Sequence, residues 1–122
     1  MKIKDYKLFL ESNNKEDIDS ICKKYDIRNY TINDDGSIDV NDDVYLSNER
    51  LDKLPLKFGR VTGAFECDNN LLTSLEGGPK WVGGNFTCGG NKLKTLDGCP
   101  NHVGDYFDCY GNQLTTLEGG PK

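Results

Sequence analysis

Residues 61 to 122 lie back onto themselves when shifted by 21 positions, and this register restricts the fold more tightly than any other feature of the chain. Val61, Val82 and Val103 coincide, as do Phe65, Phe86 and Phe107, then Cys67, Cys88 and Cys109, then Asn70, Asn91 and Asn112. Leu72, Leu93 and Leu114 follow, then Leu75, Leu96 and Leu117, Gly77, Gly98 and Gly119, and Pro79, Pro100 and Pro121. A fixed period of this length is the signature of a solenoid, because one unit cannot bury its own apolar residues and stacking its copies makes a continuous core. Composition alone points the other way, since 35% hydrophobic residues and a strongly negative mean hydropathy would suit a disordered chain. Periodic placement argues for order, and the 14 glycines fit coils with tight corners that need positive φ.

Within each unit the pattern is FxCxxNxLxxL. Phe65 and Cys67 are two residues apart, so a short strand points both to one side and Glu66 to the other. Asn70 sits where the chain must turn. The remainder of the unit, LxGxPxxVxG, lacks helical spacing and carries Gly and Pro, which predicts an extended or turn-like back. The pattern resembles the core of the leucine-rich repeat, with Phe and Cys in place of Leu, and its back resembles the short bacterial LPxxL type lengthened by one residue. The LEGGPK and CPxxVG phrases resemble the leucine-rich arrays common in tailed bacteriophages. The resemblance implies that the Asn side chains are buried and bond the backbone of their own and adjacent coils. It is a likeness of fold and carries no single activity.

Upstream the repeat persists in worn form over 40–60. Val40, Val44, Leu46, Leu51 and Leu54 each precede a repeat residue by 21 positions, while Glu49 stands in the Asn register and Leu54-Pro55-Leu56 replaces the LEGGP corner. Residues 1–39 read as an N-terminal cap. Ile18, Ile21, Cys22 and Tyr25 form the stripe of an amphipathic helix that Asn14 can cap together with Asp17, with Lys23 and Lys24 in its last turn. Tyr6 to Leu10 is expected to be a short helical segment packed on that stripe. Tyr30–Ile32 and Ile38–Val40 flank Asn33-Asp34-Asp35-Gly36 and predict a hairpin. The expected fold is a repeat solenoid in one folded domain, a mainly β leucine-rich-repeat array with little or no helix on the convex side, capped by helix and hairpin. Pro121-Lys122 repeats the register of Pro79-Lys80 with no matching cap, so further units or a covering partner are expected there.

Charge narrows the classes of partner. The net charge of −5 excludes duplex nucleic acid, which needs clustered Lys and Arg. Residues 61 to 122 hold Lys80, Lys92, Lys94 and Lys122, no Arg, and seven acidic residues, which favours a protein with a basic surface. No apolar run approaches a secretory signal or a membrane span, so a cytoplasmic protein without membrane contact is expected, in the host cytoplasm if phage-encoded. Five cysteines, an odd number, agree with a reducing compartment.

Candidate chemistry is sparse. Stacked strands would bring Cys67, Cys88 and Cys109 into a row able to hold a soft metal, but Leu46 fills that register in the worn unit, so the column reads as core filler. Cys99 and His102 are half of a zinc site by spacing, with no second pair, and the register of His102, filled elsewhere by Trp81 and Arg60, reads as an exposed loop. A single His without a positioned nucleophile supports no catalytic site, and no cofactor is expected. What remains is the outward side of the Phe–Cys strands on the concave face: Tyr45, then Glu66 and Asp68, then Asn85 and Thr87, then Tyr106, Asp108 and Tyr110. Carboxylates interleaved with tyrosines suit protein recognition, against the plainer reading of a solvated strand face. Two functions stay open: a non-enzymatic protein-binding module, among them a phage protein that binds a host factor or defence enzyme, and a scaffold that self-associates through its C-terminal coil.

Overall fold

The computed structural model describes residues 15–121, and the expectations for Tyr6 to Leu10, for Asn14 as a cap and for Lys122 lie outside the described residues. A helix, α1 (15–24), opens the described chain and buries Ile18 and Cys22, with Ile21 and Tyr25 packed against the same core. Its end is built by Asp26 in the left-handed region at φ 55°. Ile27 N–H then reaches back to the Cys22 carbonyl at 2.8 Å and Asp26 N–H to that of Lys23 at 3.3 Å, a Schellman closure with Asp where Gly is usual. Ile27, 4% exposed, supplies the apolar contact that accompanies such a closure.

The hairpin follows as expected. Strands β1 (Tyr30–Ile32) and β2 (Ile38–Val40) pair antiparallel around the Asp-Gly turn. From β2 onward the chain coils, and each coil contributes two short strands rather than one. A five-stranded sheet runs β1-β2-β4-β6-β8, with β4 at Phe58–Val61, β6 at Trp81–Val82 and β8 at His102–Val103. A four-stranded sheet runs β3-β5-β7-β9, with β3 at Val44–Tyr45, β5 at Phe65–Glu66, β7 at Phe86–Thr87 and β9 at Phe107–Asp108. All pairings after the hairpin are parallel and 21 residues apart in the repeats, as in Arg60↔Trp81↔His102 and Phe65↔Phe86↔Phe107. The back of the coil, expected to be extended or turn-like, is thus a second sheet carrying the Val register.

Two left-handed corners turn each of the three repeats, and the first of them is present in the worn coil as well. One is held at the same register by Asn48 (φ 61°), Asn69 (φ 55°), Gly90 (φ 65°) and Gly111 (φ 76°), the other by Gly77 (φ 87°), Gly98 (φ 90°) and Gly119 (φ 86°). At Gly77 a Cβ would also sit 2.9 Å from the Leu56 carbonyl oxygen of the preceding coil, so both conformation and space demand Gly. Between the sheets Phe65, Phe86 and Phe107 stack with centroids 5.5 and 5.6 Å apart and planes 7° apart. Phe58 closes the column edge-on at 5.0 Å. Val61, Val82, Leu72, Leu75, Leu93 and Leu96 complete the core.

The Asn register forms the ladder that the repeat pattern implies, but it runs in one direction. Asn91 Nδ2 donates to the Cys88 carbonyl of its own coil at 2.9 Å and to Cys67 of the preceding coil at 3.0 Å. Its Oδ1 accepts Leu72 N–H, again from the preceding coil, at 3.1 Å. Asn70 and Asn112 repeat these bonds one coil earlier and later. None of the three reaches forward. This explains Glu49: the carbonyl of Leu46 is already satisfied by Asn70 from the next coil, and Glu49 N–H donates to Asn70 Oδ1. Replacing Asn91 by Leu should cost about 2–4 kcal/mol in urea unfolding, because several buried backbone groups lose their partner together. Amide exchange should show Leu72 deprotected while Leu93, held by Asn112, keeps its protection. A cost below about 0.5 kcal/mol would contradict the ladder.

Candidate functional site

The outward residues of the four-stranded sheet form a grid. Register places Tyr45, Glu66, Thr87 and Asp108 in one row across β3, β5, β7 and β9. The 21-residue spacing puts Asn85 and Tyr106 in a row on one side of it, and Asp68 and Tyr110 in a row on the other. All eight expected residues therefore belong to one face, but they are not equivalent.

Thr87 departs from expectation. It is 5% exposed, and its Oγ1 donates to Asp68 Oδ2 at 3.0 Å. The other oxygen of Asp68 accepts Gly89 N–H, one coil on, at 3.0 Å. Asn85 Oδ1 accepts Tyr106 N–H at 3.3 Å, and outside the expected set Asp43 Oδ1 accepts Ala64 N–H at 2.8 Å. On the other sheet Asp39 Oδ1 does the same for Arg60 N–H at 2.8 Å. Asp39, Asp43, Asp68 and Asn85 each reach 21 residues forward to a backbone N–H, for the last three one just outside a two-residue strand, while Thr87 reaches back to the Asp68 carboxylate. Asp68, Asn85 and Thr87 are thus stitches between coils.

Five residues remain directed to solvent. Tyr45, Tyr106 and Tyr110 are 57%, 56% and 86% exposed, Glu66 is half-buried and Asp108 exposed. Tyr45 Oη donates to Asp43 Oδ2 at 3.1 Å, which with burial raises its pKa. Asp108 Oδ1 accepts Tyr110 N–H at 2.9 Å, fixing the turn that presents Tyr110. The face offers carboxylate acceptors and exposed tyrosine rings.

The cysteine column is interior. Cys67 and Cys88 are fully buried and Cys109 half-buried. Burial, then the Asp68 carboxylate, pushes the Cys67 thiol up to about 12. Burial, then the neighbouring thiols Cys67 and Cys109, raises Cys88 further. Such groups stay protonated, and among the described residues no three His, Cys, Asp or Glu side chains are grouped to hold a metal. Cys99 Sγ lies 3.0 Å from the Gly119 carbonyl, whereas His102 is on β8 with its ring stacked on Trp81, so the CxxH pair does not converge. The His102 register is a strand position on the five-stranded sheet, not the loop its sequence neighbours indicated. The extended or turn-like back expected from LxGxPxxVxG left open which of its residues pair, and a two-residue strand leaves no alternation to mark one.

No helix among the described residues is long and apolar enough to cross a membrane. No family model, curated protein or solved structure matches this chain.

Two outcomes test this assignment of roles. Asp68→Ala should destabilise by about 1–2 kcal/mol through two lost acceptor bonds, whereas Asp108→Ala should stay within about 0.5 kcal/mol of wild type; similar values for both would contradict the distinction. A buried thiol with a raised pKa keeps its proton in the folded state while the unfolded chain loses it, so its contribution is whole below about pH 9 and fades as the pH climbs toward 12. Between about pH 9 and 11, wild-type stability should fall more steeply than that of Cys67→Ala, by up to about 1.4 kcal/mol per pH unit. Parallel pH profiles from urea titrations would contradict it.

Proposed function

We propose that this chain is a non-enzymatic protein-binding module that uses Tyr45, Glu66, Tyr106, Asp108 and Tyr110 to engage a partner with a basic surface. The observation that carries the reading is the group around β9, where Tyr106 and Tyr110 are exposed beside Asp108, while Asn85 and Asp68, in the registers of the two tyrosines, are tied to backbone. Tyrosines bring rigid contact area at small entropic cost, and exposed carboxylates steer a cationic partner. The solenoid of 21-residue coils with its Asn ladder supports the finer view that this is a leucine-rich repeat of the kind found in tailed phages. In that setting the module acts in the host cytoplasm on a host factor, a defence enzyme included.

A second reading is a scaffold that joins copies of itself through its C-terminal coil, where Leu117 is 71% exposed. One set of measurements separates the two. A protein captured from bacterial lysate is identified, purified and titrated with wild type, Tyr110→Ala and Asp108→Lys. The module reading expects binding at least tenfold weaker for Asp108→Lys and weaker at raised salt; affinity unchanged by either variant rejects it. The scaffold reading expects concentration-dependent sedimentation abolished by Phe107→Lys, and a strict monomer rejects that.

A further inference from the structure

The opposite side of the molecule carries a different chemistry. On the outer face of the five-stranded sheet, register aligns Arg60, Trp81 and His102. The Arg60 guanidinium carbon lies 3.6 Å from the centroid of the Trp81 ring, and the Trp81 and His102 rings stack at 5.0 Å and 11°. Of the three planar groups stacked along the coil axis, the middle one, Trp81, has both faces covered, so what it turns toward solvent is its edge. The edges of guanidinium, indole and imidazole carry their N–H donors, which lie in the plane of each group.

Those donors are unclaimed within the described residues. The ion pairs found there are Arg28 with Asp26 and Lys57 with Asp35, so no carboxylate lies within 4.0 Å of the Arg60 guanidinium. Asp39, the nearest acid in the register, has one oxygen on Arg60 N–H, the backbone donor. Among the described residues Trp81 Nε1 has no acceptor, and it is not among the buried atoms lacking a partner, so it is open to solvent. An arginine held flat on an indole has already given up most of its rotamer freedom, and its two-pronged donor edge matches a carboxylate.

We propose that the Arg60–Trp81–His102 column is a binding site for an acidic, extended polypeptide segment. One carboxylate engages Arg60 in two parallel hydrogen bonds, and a second acceptor meets the Trp81 indole N–H and the His102 imidazole. Arg60 and His102 are two strand spacings apart, about 10 Å, and acidic side chains at i and i+2 of an extended segment, with stems about 7 Å apart, reach both. A nucleic-acid strand fits less well, because base stacking needs an open ring face and both faces of Trp81 are covered. The site is on the face opposite the tyrosine-bearing grid and does not depend on the function proposed for that grid.

Trp81 is the only tryptophan, so its indole N–H resonance reports the site directly. Titration of the intact protein with hexaglutamate should move that resonance saturably, with binding weakened at least tenfold by Arg60→Gln and severalfold by Arg60→Lys, which keeps the charge and loses the fork. Tyr110→Ala and Asp108→Lys, on the other face, should leave the affinity within twofold, and the rest of the amide spectrum confirms that each variant is folded. The proposal is overturned by any of three results: no saturable shift, an equal shift with hexaglutamine, or tighter binding of a hexathymidylate strand, which would make the column a phosphate site.

Discussion

A coil of this chain can close because one side-chain amide does the work of a missing backbone partner. At the corner after each Phe–Cys strand the polypeptide turns too sharply for its carbonyls to find N–H groups along the main chain. Asn70, Asn91 and Asn112 fill the gap from inside the coil, each giving Nδ2 to its own and the preceding coil and receiving an N–H from the latter. A hydroxyl has too few donors and a carboxylate has none, so the amide is required by its valence. The corner residue before it is Asn or Gly at every coil because the left-handed region admits little else.

The direction of these bonds gives the molecule a polarity. Asn amides reach back toward the N-terminal side, while Asp39, Asp43, Asp68 and Asn85 reach forward to the next coil. Neighbouring coils are thereby tied from both sides by different residue types. The interior ties are strict, with the same residue in each repeat; the exterior ones change identity from coil to coil, because any acceptor that reaches a strand-end N–H suffices.

This difference decides what could be read from the amino acids. The interior was legible: the Val, Phe, Cys, Asn and Leu registers mark inward positions directly, and the hairpin followed from an Asp-Gly pair between β-formers. The outer face was legible only as an address. Glu66, Asp68 and Asp108 look alike in a sequence, yet Asp68 is bound to Thr87 and Gly89 while Asp108 fixes only its own turn. A cue was present, since an Asp or Asn at a strand end followed 21 residues later by a small or turn-forming residue describes Asp43 with Ala64 and Asp68 with Gly89. The Arg60–Trp81–His102 column was missed for another reason: three different residue types in one register look like variation until a second strand shows that all are planar and stack.

The Phe65–Phe86–Phe107 column has a consequence for how such a chain assembles. Because each ring and each strand pair of the repeats meets the next across the same 21-residue separation, every added coil closes a loop of about one size, and the entropy lost per coil is close to constant. Assembly is then a zipper in which the first pair of coils bears the cost of nucleation and each later coil adds at the same small increment, so the rate need not slow as the array lengthens. Run in reverse, the zipper frays from its ends, and the rings of the middle coil are the last to part.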